Sequence, residues 1–308
     1  MKPLISYLIT VYNKERELPE TIECLRNQQG LEGAEVELIF VDDCSSDRSV
    51  EYLKSQTEND ARIKVVENHQ NYGPARRINQ AANHANGSYF IPIDADDFLT
   101  TNGTRTLLNI AGDKGAPLVF GRSKRGYRTQ ARVDPTSLIT VSTDPLAYCA
   151  RKQIVHMGFL VDAQLWKYSG GADERVFIQD QSLPLRLSEQ ANRLAYVHDV
   201  VYWLRPPDNN NLSVNTTQQH HDRFFSAFFQ LEKPNISVKA KQFLTKQILS
   251  SRWKLERDNR RFGSYFSEAF RSYLMNKISP QTTITEQKLK FYADEMMSRK
   301  GVRRITSS

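Results

Sequence analysis

In GSYFIPIDADDFLT, residues 87–100, a short apolar run is followed by a cluster of carboxylates. Residues 88–94 are typical of a buried β-strand, and Asp94, Asp96 and Asp97 lie at and just after its end. Burying an unpaired carboxylate is costly, so several at the end of a strand need a metal ion, hydrogen-bond donors or open solvent. The stretch therefore predicts a polar site at the end of a strand.

Three more strand patterns precede this stretch, and they alternate with helix patterns. The strands are expected at residues 4–12, 36–43 and 62–68, and the helices at 15–28, 45–56 and 73–86. Such alternation favours parallel βαβ units, in which ligands bind at the carboxyl ends of the strands. We therefore predict an α/β fold whose site lies where the acidic clusters follow the strands.

The composition is that of an ordinary globular protein, with 308 residues of which 39% are hydrophobic and 10% aromatic. No apolar run reaches the roughly 18 residues of a membrane span. The N-terminal segment becomes polar too soon for a secretory signal, so we expect a cytoplasmic chain. The three cysteines form no CxxC pair, which indicates reduced thiols rather than disulfides or a zinc site.

The formal net charge of +7 is compatible with nucleic acid, an anionic membrane surface or a phosphorylated substrate, and does not choose among them. Two carboxylates separated by one residue can bind Mg²⁺ or Mn²⁺ and leave coordination positions for a diphosphate. The chain has neither G-x-G-x-x-G after its first strand nor G-x-x-x-x-G-K-[ST] anywhere. Any phosphate must therefore be held by other means.

The segments LITVYNKE, VDDCSSD, NYGPARRINQAANHANGSYFIPIDADD and IQDQSLPLRL follow the order and spacing of the motifs of family 2 glycosyltransferases. The chain resembles this family over roughly residues 4–210. The resemblance implies the GT-A fold, a Rossmann-like, mixed but mostly parallel sheet flanked by helices. It also implies metal-dependent, inverting transfer from a nucleotide sugar, expected to be a UDP-sugar, to a glycan or glycolipid in bacterial surface polysaccharide or lipopolysaccharide synthesis.

The resemblance also assigns roles in nucleotide binding. In the family, the loop after the first strand flanks the base, the acid after the second strand bonds the base or ribose, and the helix after NYG presents a basic residue. The positions that match are Thr10, Val11, Tyr12, Glu15, Asp42, Arg76 and Arg77. Which of the two arginines faces the nucleotide is left open.

The DxD pair of the family matches Asp94 and Asp96. We expect Asp96 to bind Mn²⁺ or Mg²⁺ directly, Asp94 to contact the ribose or a metal-bound water, and Asp97 to support these ligands. Arg205 and Ser213 are expected to reach the donor diphosphate.

The resemblance places the general base at Asp180, before an amphipathic helix pattern. The family commonly has a Glu-Asp pair here, and this chain has Gln179 in place of the glutamate. An alternative role for Asp180 is the N-cap of that helix. Asp173 and Glu174 are the next candidates for the base.

On the acceptor side, the sequence suggests His156, Met157 and Gly158, and the equal alternative for His156 is a surface or half-buried histidine. His220 or His221 could complete the metal shell, as in some GT-A enzymes, although an exposed helix start is the simpler interpretation.

From about residue 216 the pattern changes to amphipathic helices. We therefore expect a nucleotide-binding half at 1–100, an acceptor-binding half at 101–215 and a C-terminal helical region at 216–308. The apolar faces of that region could pack on the catalytic domain or lie on the inner face of the membrane.

Two other function classes were compared with this hypothesis. A nucleotidyltransferase of related βα architecture would favour a glycine-rich loop after the first strand, and TVYNKERELPE has no glycine. A basic RNA-binding protein would show an RNP-like aromatic strand or a KH-type GxxG loop, and we interpret no segment as either, so no nucleic-acid partner is expected. The donor sugar, the acceptor and the oligomeric state are left open.

Overall fold

The computed structural model describes residues 2–127, 130–206, 214–280 and 284–304, with only the backbone given for 259–262. Ser213 lies outside the described residues. The chain forms two compact units, each assembled from several segments. The first comprises Met1–Thr143, His156–Ala172 and Gln190–Pro206, and the second comprises Asp144–Val155, Asp173–Glu189 and Pro207–Ser308.

A single mixed sheet of nine strands forms the core of the described part of the first unit. The strands are β1 Leu4–Val11, β2 Glu35–Asp42, β3 Ile63–Val66, β4 Tyr89–Asp94, β5 Phe98–Leu99, β6 Leu118–Arg125, β7 Ile139–Ser142, β8 Leu160–Asp162 and β9 Leu194–Leu204. Their order is β3-β2-β1-β4-β8-β6-β9-β5, with β7 paired to β9. The parallel ladders, β3-β2-β1-β4 and β6-β9, include most of the paired residues, as expected from the sequence.

Eleven α-helices occur in the described residues. They are α1 Leu18–Arg26, α2 Ser49–Thr57, α3 Pro74–Asn83, α4 Gly103–Lys114, α5 Pro145–Lys152, α6 Ala163–Ser169, α7 Gln179–Gln190, α8 Thr216–Leu231, α9 Val238–Arg260, α10 Glu268–Ile278 and α11 Glu286–Met297, and a 3-10 helix spans Arg261–Phe266. Helices α1 to α4 and α6 belong to the first unit, and the others belong to the second.

The central strands form because their side chains are apolar on both faces of the sheet. Ile5, Leu8 and Ile9 of β1 are fully buried, and burying each such side chain contributes about 1.5–3 kcal/mol. The four expected strands of the first hundred residues are confirmed to within two residues at each end. Because these strands end close to the predicted positions, the acidic clusters that follow them lie at one edge of the sheet.

The second unit is helical. Helices α8 and α9 pack along each other, and α5 and α10 also pack on α9. Phe224 and Ala227 of α8 are fully buried. The unit includes α7, so the C-terminal helices share a compact unit with the helix that carries Asp180.

The sequence-based division at residues 100 and 215 stays a prediction, since the compact units divide the chain by packing and at other positions. Among the described residues, none of the helices combines the length and the apolar composition needed to cross a membrane.

Candidate active site

The carboxyl ends of β1, β2 and β4 form one edge of the sheet. The register pairs Thr10 with Asp94 and Val11 with Asp42. Because parallel strands end at the same edge, these candidate residues converge there. Tyr12, the next residue of the loop, is 47% exposed, so its ring is accessible to a ligand.

Hydrogen bonds join the loops that follow β1 and β2. Asn13 has a φ of 53°, and its N–H donates to Ser45 Oγ over 2.9 Å. Glu15 Oε2 accepts from the N–H of Arg48 at 2.8 Å, and the N–H of Glu15 donates to Asp47 Oδ2 at 3.0 Å. Glu15 thus holds the two loops together, and its expected place at the pocket edge stays a prediction.

Asp42 ends β2 with only 1% of its surface exposed. Its Oδ2 accepts from the N–H of Ser45 at 2.9 Å, whereas Oδ1 is buried and has no partner among the residues that the structure describes. Burial raises the pKa of Asp42, against the opposing hydrogen bonds from Ser45. A buried oxygen without a partner costs about 1–3 kcal/mol, and an N–H or O–H donor of a ligand would remove that cost.

Asp43, which sequence reasoning missed, organises the start of α3. Its Oδ1 accepts from the N–H of Tyr72 at 2.8 Å and from Arg77 Nε at 2.7 Å, and its Oδ2 accepts from the N–H of Gly73 at 2.8 Å. Gly73 has a φ of 90°, which a residue with a side chain rarely adopts. The sequence feature that could have identified Asp43 is a second aspartate directly after Asp42, in a chain that also has an NYG turn at residues 71–73.

The structure separates the two arginines of α3. Arg77 is 4% exposed and is committed to its ion pair with Asp43. Arg76 is half-buried, and its guanidinium carbon lies 4.2 Å from the centroid of the Tyr72 ring. Within the described residues, no ion pair involves Arg76. This arrangement favours Arg76 as the arginine that faces a nucleotide, and that role stays a prediction.

The acidic turn, residues 94–97, follows β4. The N–H of Asp97 donates to the carbonyl of Asp94 at 3.1 Å, so the chain reverses there. Asp96 Oδ2 lies 2.6 Å from the Nζ of Lys14, which belongs to the loop after β1. A positive charge is therefore already held against Asp96 in this structure.

Asp97 is buried beneath the acidic turn, with 6% exposure. Its Oδ1 accepts from the N–H of Arg205 at 2.7 Å, and the Tyr202 hydroxyl contacts its carboxyl group as well. Burial, followed by the charge of Asp96, raises the pKa of Asp97 to about 8. Since the Tyr202 hydroxyl also accepts from the N–H of Asp94 at 3.1 Å, it fixes both ends of the acidic turn.

Arg205 crosses the acidic turn. Its Nε donates to the carbonyl of Asp96 at 2.8 Å, and a terminal nitrogen lies 2.8 Å from Glu20 Oε2. The guanidinium carbon lies 4.7 Å from the ring centroid of Phe98 and 5.1 Å from that of Tyr127. Arg205 thus supports the turn, and its expected contact with a diphosphate stays a prediction.

The residues suggested for the acceptor side lie in the core of the first unit. His156 and Met157 are 7% and 0% exposed, and burial lowers the pKa of His156. Gly158 has a φ of 72°, and a Cβ at this position would lie 2.1 Å from the Tyr202 ring. The His156 ring stacks on that of Tyr202 with 6.2 Å between the centroids, so His156 and Gly158 both pack against the tyrosine that holds the acidic turn. A role of the three residues toward the acceptor stays a prediction.

The acidic turn fits a divalent cation that is shared with a ligand. Carboxylate oxygens are the donors that Mg²⁺ and Mn²⁺ prefer, and Asp96 already holds the Lys14 ammonium. No group of three His, Cys, Asp or Glu side chains that could hold a metal occurs among the described residues. A cation at Asp96 would therefore take its other ligands from a diphosphate or water.

In the second unit, Asp180 lies in the first turn of α7. The helix begins at Gln179, so Asp180 is inside it and does not precede it as an N-cap. Its Oδ1 accepts from Gln181 Nε2 at 3.1 Å. Burial raises the pKa of Asp180 to about 7, and the charge of Arg223 opposes this shift. A carboxylate with such a pKa exchanges its proton near neutral pH, as a general base must.

Asp173, the reserve candidate for the base, is held in ion pairs. It is 5% exposed and lies 2.7 Å from a guanidinium nitrogen of Arg175 and 3.3 Å from one of Arg186. Although burial acts to raise the pKa of Asp173, these partners bring it below the usual value. Asp173 is therefore a weaker proton acceptor than Asp180.

The two adjacent histidines of α8 are held by carboxylates of the second unit. His221 Nδ1 lies 2.8 Å from Asp222 Oδ1, and His220 Nε2 lies 3.5 Å from Asp258 Oδ2. Burial lowers the pKa of His220 to about 4. A metal role for either histidine stays a prediction.

Residues 6–163 match the model of the family described as Glycosyl transferase family 2. A curated relative, an uncharacterized glycosyltransferase of Haemophilus influenzae (strain ATCC 51907 / DSM 11121 / KW20 / Rd), is 36% identical over 107 residues, which are 35% of this chain and 42% of the relative. The chain spans less than half the length of the curated relatives that it matches first.

Two solved structures share the fold. Residues 1–349 of S. aureus TarS, in a complex with UDP-GlcNAc, superpose with a TM-score of 0.67 at 17% identity, covering 96% of this chain and 89% of that one. The mannosyltransferase PcManGT from Pyrobaculum calidifontis, in complex with GDP-Man and Mn²⁺, gives a TM-score of 0.64 at 14% identity and covers 96% and 85% of the two chains. At these identities the likeness establishes the GT-A fold.

Proposed function

The chain belongs to glycosyl transferase family 2, and from that premise we propose that it moves a sugar from a UDP-sugar to a hydroxyl group of a glycan or glycolipid. The reaction depends on Mg²⁺ or Mn²⁺ and inverts the anomeric centre. The product enters a bacterial surface polysaccharide or lipopolysaccharide.

The observation that carries this proposal is the unsatisfied Oδ1 of Asp42. It is buried at the sheet edge where β1 and β4 also end, and Ser45 occupies only the other oxygen. A base or ribose that donates a hydrogen bond to Oδ1 would satisfy it, and the exposed Tyr12 would flank the base. The UDP-GlcNAc complex of TarS supports uracil as that base.

The acidic turn is the proposed diphosphate site. Asp96, assisted by Asp94, would hold the cation, and Mn²⁺ in the PcManGT complex supports this choice of metal. The bound cation supplies positive charge for the departing diphosphate. Lys14 brings a second positive charge to the same carboxylate, and Arg205 holds the turn in place.

Asp180 is the proposed general base. It takes the proton of the acceptor hydroxyl while the oxygen forms its bond to the anomeric carbon and the bond to the diphosphate breaks. The proton ends on Asp180, and UDP carries away the electron pair. Because the pKa of Asp180 is raised to about 7, its carboxylate is a stronger base than an ordinary aspartate and is still largely ionised in weakly alkaline solution.

The proposed class of acceptor, a glycan or glycolipid, and the proposed place of the reaction rest on the family resemblance. The expected cytoplasmic location and a peripheral membrane contact stay predictions. An acceptor with a hydroxyl group is the chemical requirement that the proposed base sets.

The experiment that tests the function measures product release from UDP-glucose, UDP-GlcNAc and GDP-mannose, with and without Mn²⁺. We expect nucleoside diphosphate to be released from a UDP-sugar only when the metal is present. Thermal unfolding with UDP and Mn²⁺ gives the matching binding measurement, because a ligand that binds the folded state raises the unfolding temperature.

Two outcomes would contradict the proposal. Release of pyrophosphate from UTP and a sugar phosphate would identify a nucleotidyltransferase. Stabilisation by UDP to the same extent with Mn²⁺ and with EDTA would exclude the proposed role of the metal in binding the diphosphate.

A further inference from the structure

The start of α7 is held by a side chain from α8. Asp222 Oδ2 accepts from the N–H of Ile178 at 2.8 Å, and Ile178 directly precedes α7. The first N–H groups of a helix have no partner within the helix, and the positive end of the helix dipole stabilises a carboxylate placed there. Asp222 therefore caps α7 from a neighbouring helix.

The Asp222 carboxylate is itself fixed. It is 1% exposed, and its Oδ1 accepts from Gln218 Nε2 and lies within hydrogen-bond distance of His221 Nδ1, both at 2.8 Å. With Ile178, three groups surround one carboxylate, which offsets the cost of burying its charge. The cap is thus a rigid feature of the second unit.

A second connection runs from α8 to the side chain of Asp180. Gln181 is 2% exposed, and its Nε2 lies 3.1 Å from Asp180 Oδ1 and 3.0 Å from Gln219 Oε1. An amide nitrogen carries two hydrogens, so Gln181 can donate to both acceptors at once. Gln219 thereby fixes the orientation of the amide that binds Asp180.

Charged side chains of α8 act on Asp180, and one of α9 acts on a charged side chain of α8. The positive charge of Arg223 favours its ionised form, and the negative charge of Asp222 opposes ionisation. Lys254 of α9 carries a positive charge that interacts with Arg223, as does His220 of α8 when protonated. All of these groups remain unchanged when Gln181 or Gln219 is replaced by an apolar residue.

We propose that α8 positions the proposed catalytic base: Asp222 fixes the start of α7, and Gln219 acts through Gln181 to orient the Asp180 carboxylate. This inference rests on the role of Asp180 in the proposed function. Asp222, Gln181 and Gln219 are positioning residues, since they act on the reaction through Asp180.

The first test is a double-mutant cycle that needs no substrate. It compares the unfolding temperatures of the wild type, Gln181→Leu, Asp180→Asn and the double variant, each at about pH 5 and about pH 8.5. The pKa of Asp180 is raised in the folded chain, so its contribution to stability is fully present below the ordinary value of 3.8 and is lost as the pH rises from there through about 7. Folded Asp180 is therefore protonated at about pH 5 and ionised at about pH 8.5.

The hydrogen bond from Gln181 favours the ionised form of Asp180. Gln181→Leu should therefore lower the unfolding temperature more at the higher pH, by about 2 °C or more. In the Asp180→Asn background, the effect of Gln181→Leu should be the same at both pH values. Gln219→Leu, at a half-buried position, repeats the test if Gln181→Leu does not fold.

The second test is kinetic and uses whichever of UDP-glucose, UDP-GlcNAc and GDP-mannose is turned over fastest. Gln181→Leu and Gln219→Leu should lower kcat about tenfold, because general-base catalysis contributes about 10²–10⁴ in rate and these changes remove only part of it. The KM for the donor should stay unchanged. The acidic limb of the kcat profile should move to higher pH. Gln230→Leu, a buried glutamine further along α8, is the matched control and should leave the profile unchanged.

The outcomes separate the two proposals. If Gln181→Leu lowers the unfolding temperature equally at both pH values in the wild-type background, the positioning role is overturned while Asp180 can still be the base. If Asp180→Asn transfers sugar at a near-normal rate, the assignment of the base fails, and the positioning role fails with it.

Discussion

Asp42 ends β2 and Asp96 follows β4, the strands on either side of β1, but the two residues have different partners. Asp42 keeps a buried oxygen without a partner among the described residues, whereas Asp96 is neutralised by Lys14 over 2.6 Å. An unsatisfied acceptor calls for a hydrogen-bond donor such as a base or ribose, and a carboxylate that already lies against a positive charge suits a site for a metal ion and a diphosphate. The two residues are therefore suited to different parts of a nucleotide sugar.

Asp96→Ala should abolish the metal-dependent part of nucleotide binding. Because the Asp96 carboxylate contacts the Lys14 ammonium and is the proposed metal ligand, its loss should remove the gain in unfolding temperature that Mn²⁺ gives with UDP. Asp113→Ala, at an exposed position of α4, is the control and should keep that gain. Metal-dependent stabilisation of Asp96→Ala at the level of the control would move the metal site elsewhere.

Asp180→Asn should separate chemistry from binding. Asparagine keeps the size of the side chain but cannot accept the proton of an acceptor, so transfer should fall by about 10²–10⁴. The affinity for UDP and Mn²⁺ should stay unchanged, because the residues proposed for nucleotide binding belong to the first unit. Transfer rates with calorimetric donor binding give the comparison, and an equal loss in both would point to a structural role for Asp180.

At the residue scale, the sequence identifies residues by type and spacing but not their partners. The pair Asp42 and Asp43 shows this limit, because the buried ion pair of Asp43 with Arg77 depends on how α3 packs against β2. The same packing places Arg77 in the ion pair with Asp43 and leaves Arg76 half-buried. His156 likewise has no sequence signal that would separate a core position from a surface one.

At the scale of elements, the junction between β2 and α3 depends on the Arg77 ion pair. Arg77→Ala should destabilise the chain by about 3–5 kcal/mol, because Asp43 would remain buried without its counter-charge. Arg76→Ala, next to it on α3, should change the free energy of unfolding by about 1 kcal/mol or less and should weaken UDP binding. Chemical denaturation and UDP titration of this pair would test the assignment, and equal destabilisation by both changes would contradict it.

The boundaries of β1 to β4 followed from the sequence because apolar runs between turn residues define buried strands. Helix α7 was harder, since its start depends on a cap from Asp222, 44 positions along the chain. A local pattern contains no sign of such a distant partner. The alternative that Asp180 is the N-cap of this helix is wrong, because the helix already begins at Gln179 and Asp222 accepts the N–H of Ile178.

For the whole molecule, the alternation of strands and helices predicts the parallel βαβ part and the family resemblance predicts the GT-A fold, but neither predicts which segments pack together. The amphipathic pattern after residue 216 is compatible with many partners, and the structure places those helices in one unit with α5 and α7. Consequently, the C-terminal helices are coupled to Asp180 through α8, a relation that helical periodicity alone does not contain.

Removing the last part of the described chain tests this coupling. The N–H of Arg303 donates to Gln218 Oε1 at 2.7 Å, Gln218 Nε2 donates to the carbonyl of Arg303 at 3.1 Å, and the guanidinium carbon lies 4.4 Å from the ring centroid of Phe177. Ending the chain after Lys300 should lower the free energy of unfolding by about 1–3 kcal/mol, because Gln218 is buried and its Oε1 would lose the N–H of Arg303.

Ending the chain after Arg304 is the matched control, since it keeps Arg303 and should retain wild-type stability. UDP binding should persist in both truncated chains, whereas the transfer rate should fall in the shorter one. The reason is that Gln218 also donates to Asp222 Oδ1, and Asp222 holds the start of α7. Equal transfer rates and equal unfolding curves for the two truncations would show that the contacts of Arg303 support neither α8 nor the carboxylate of Asp180.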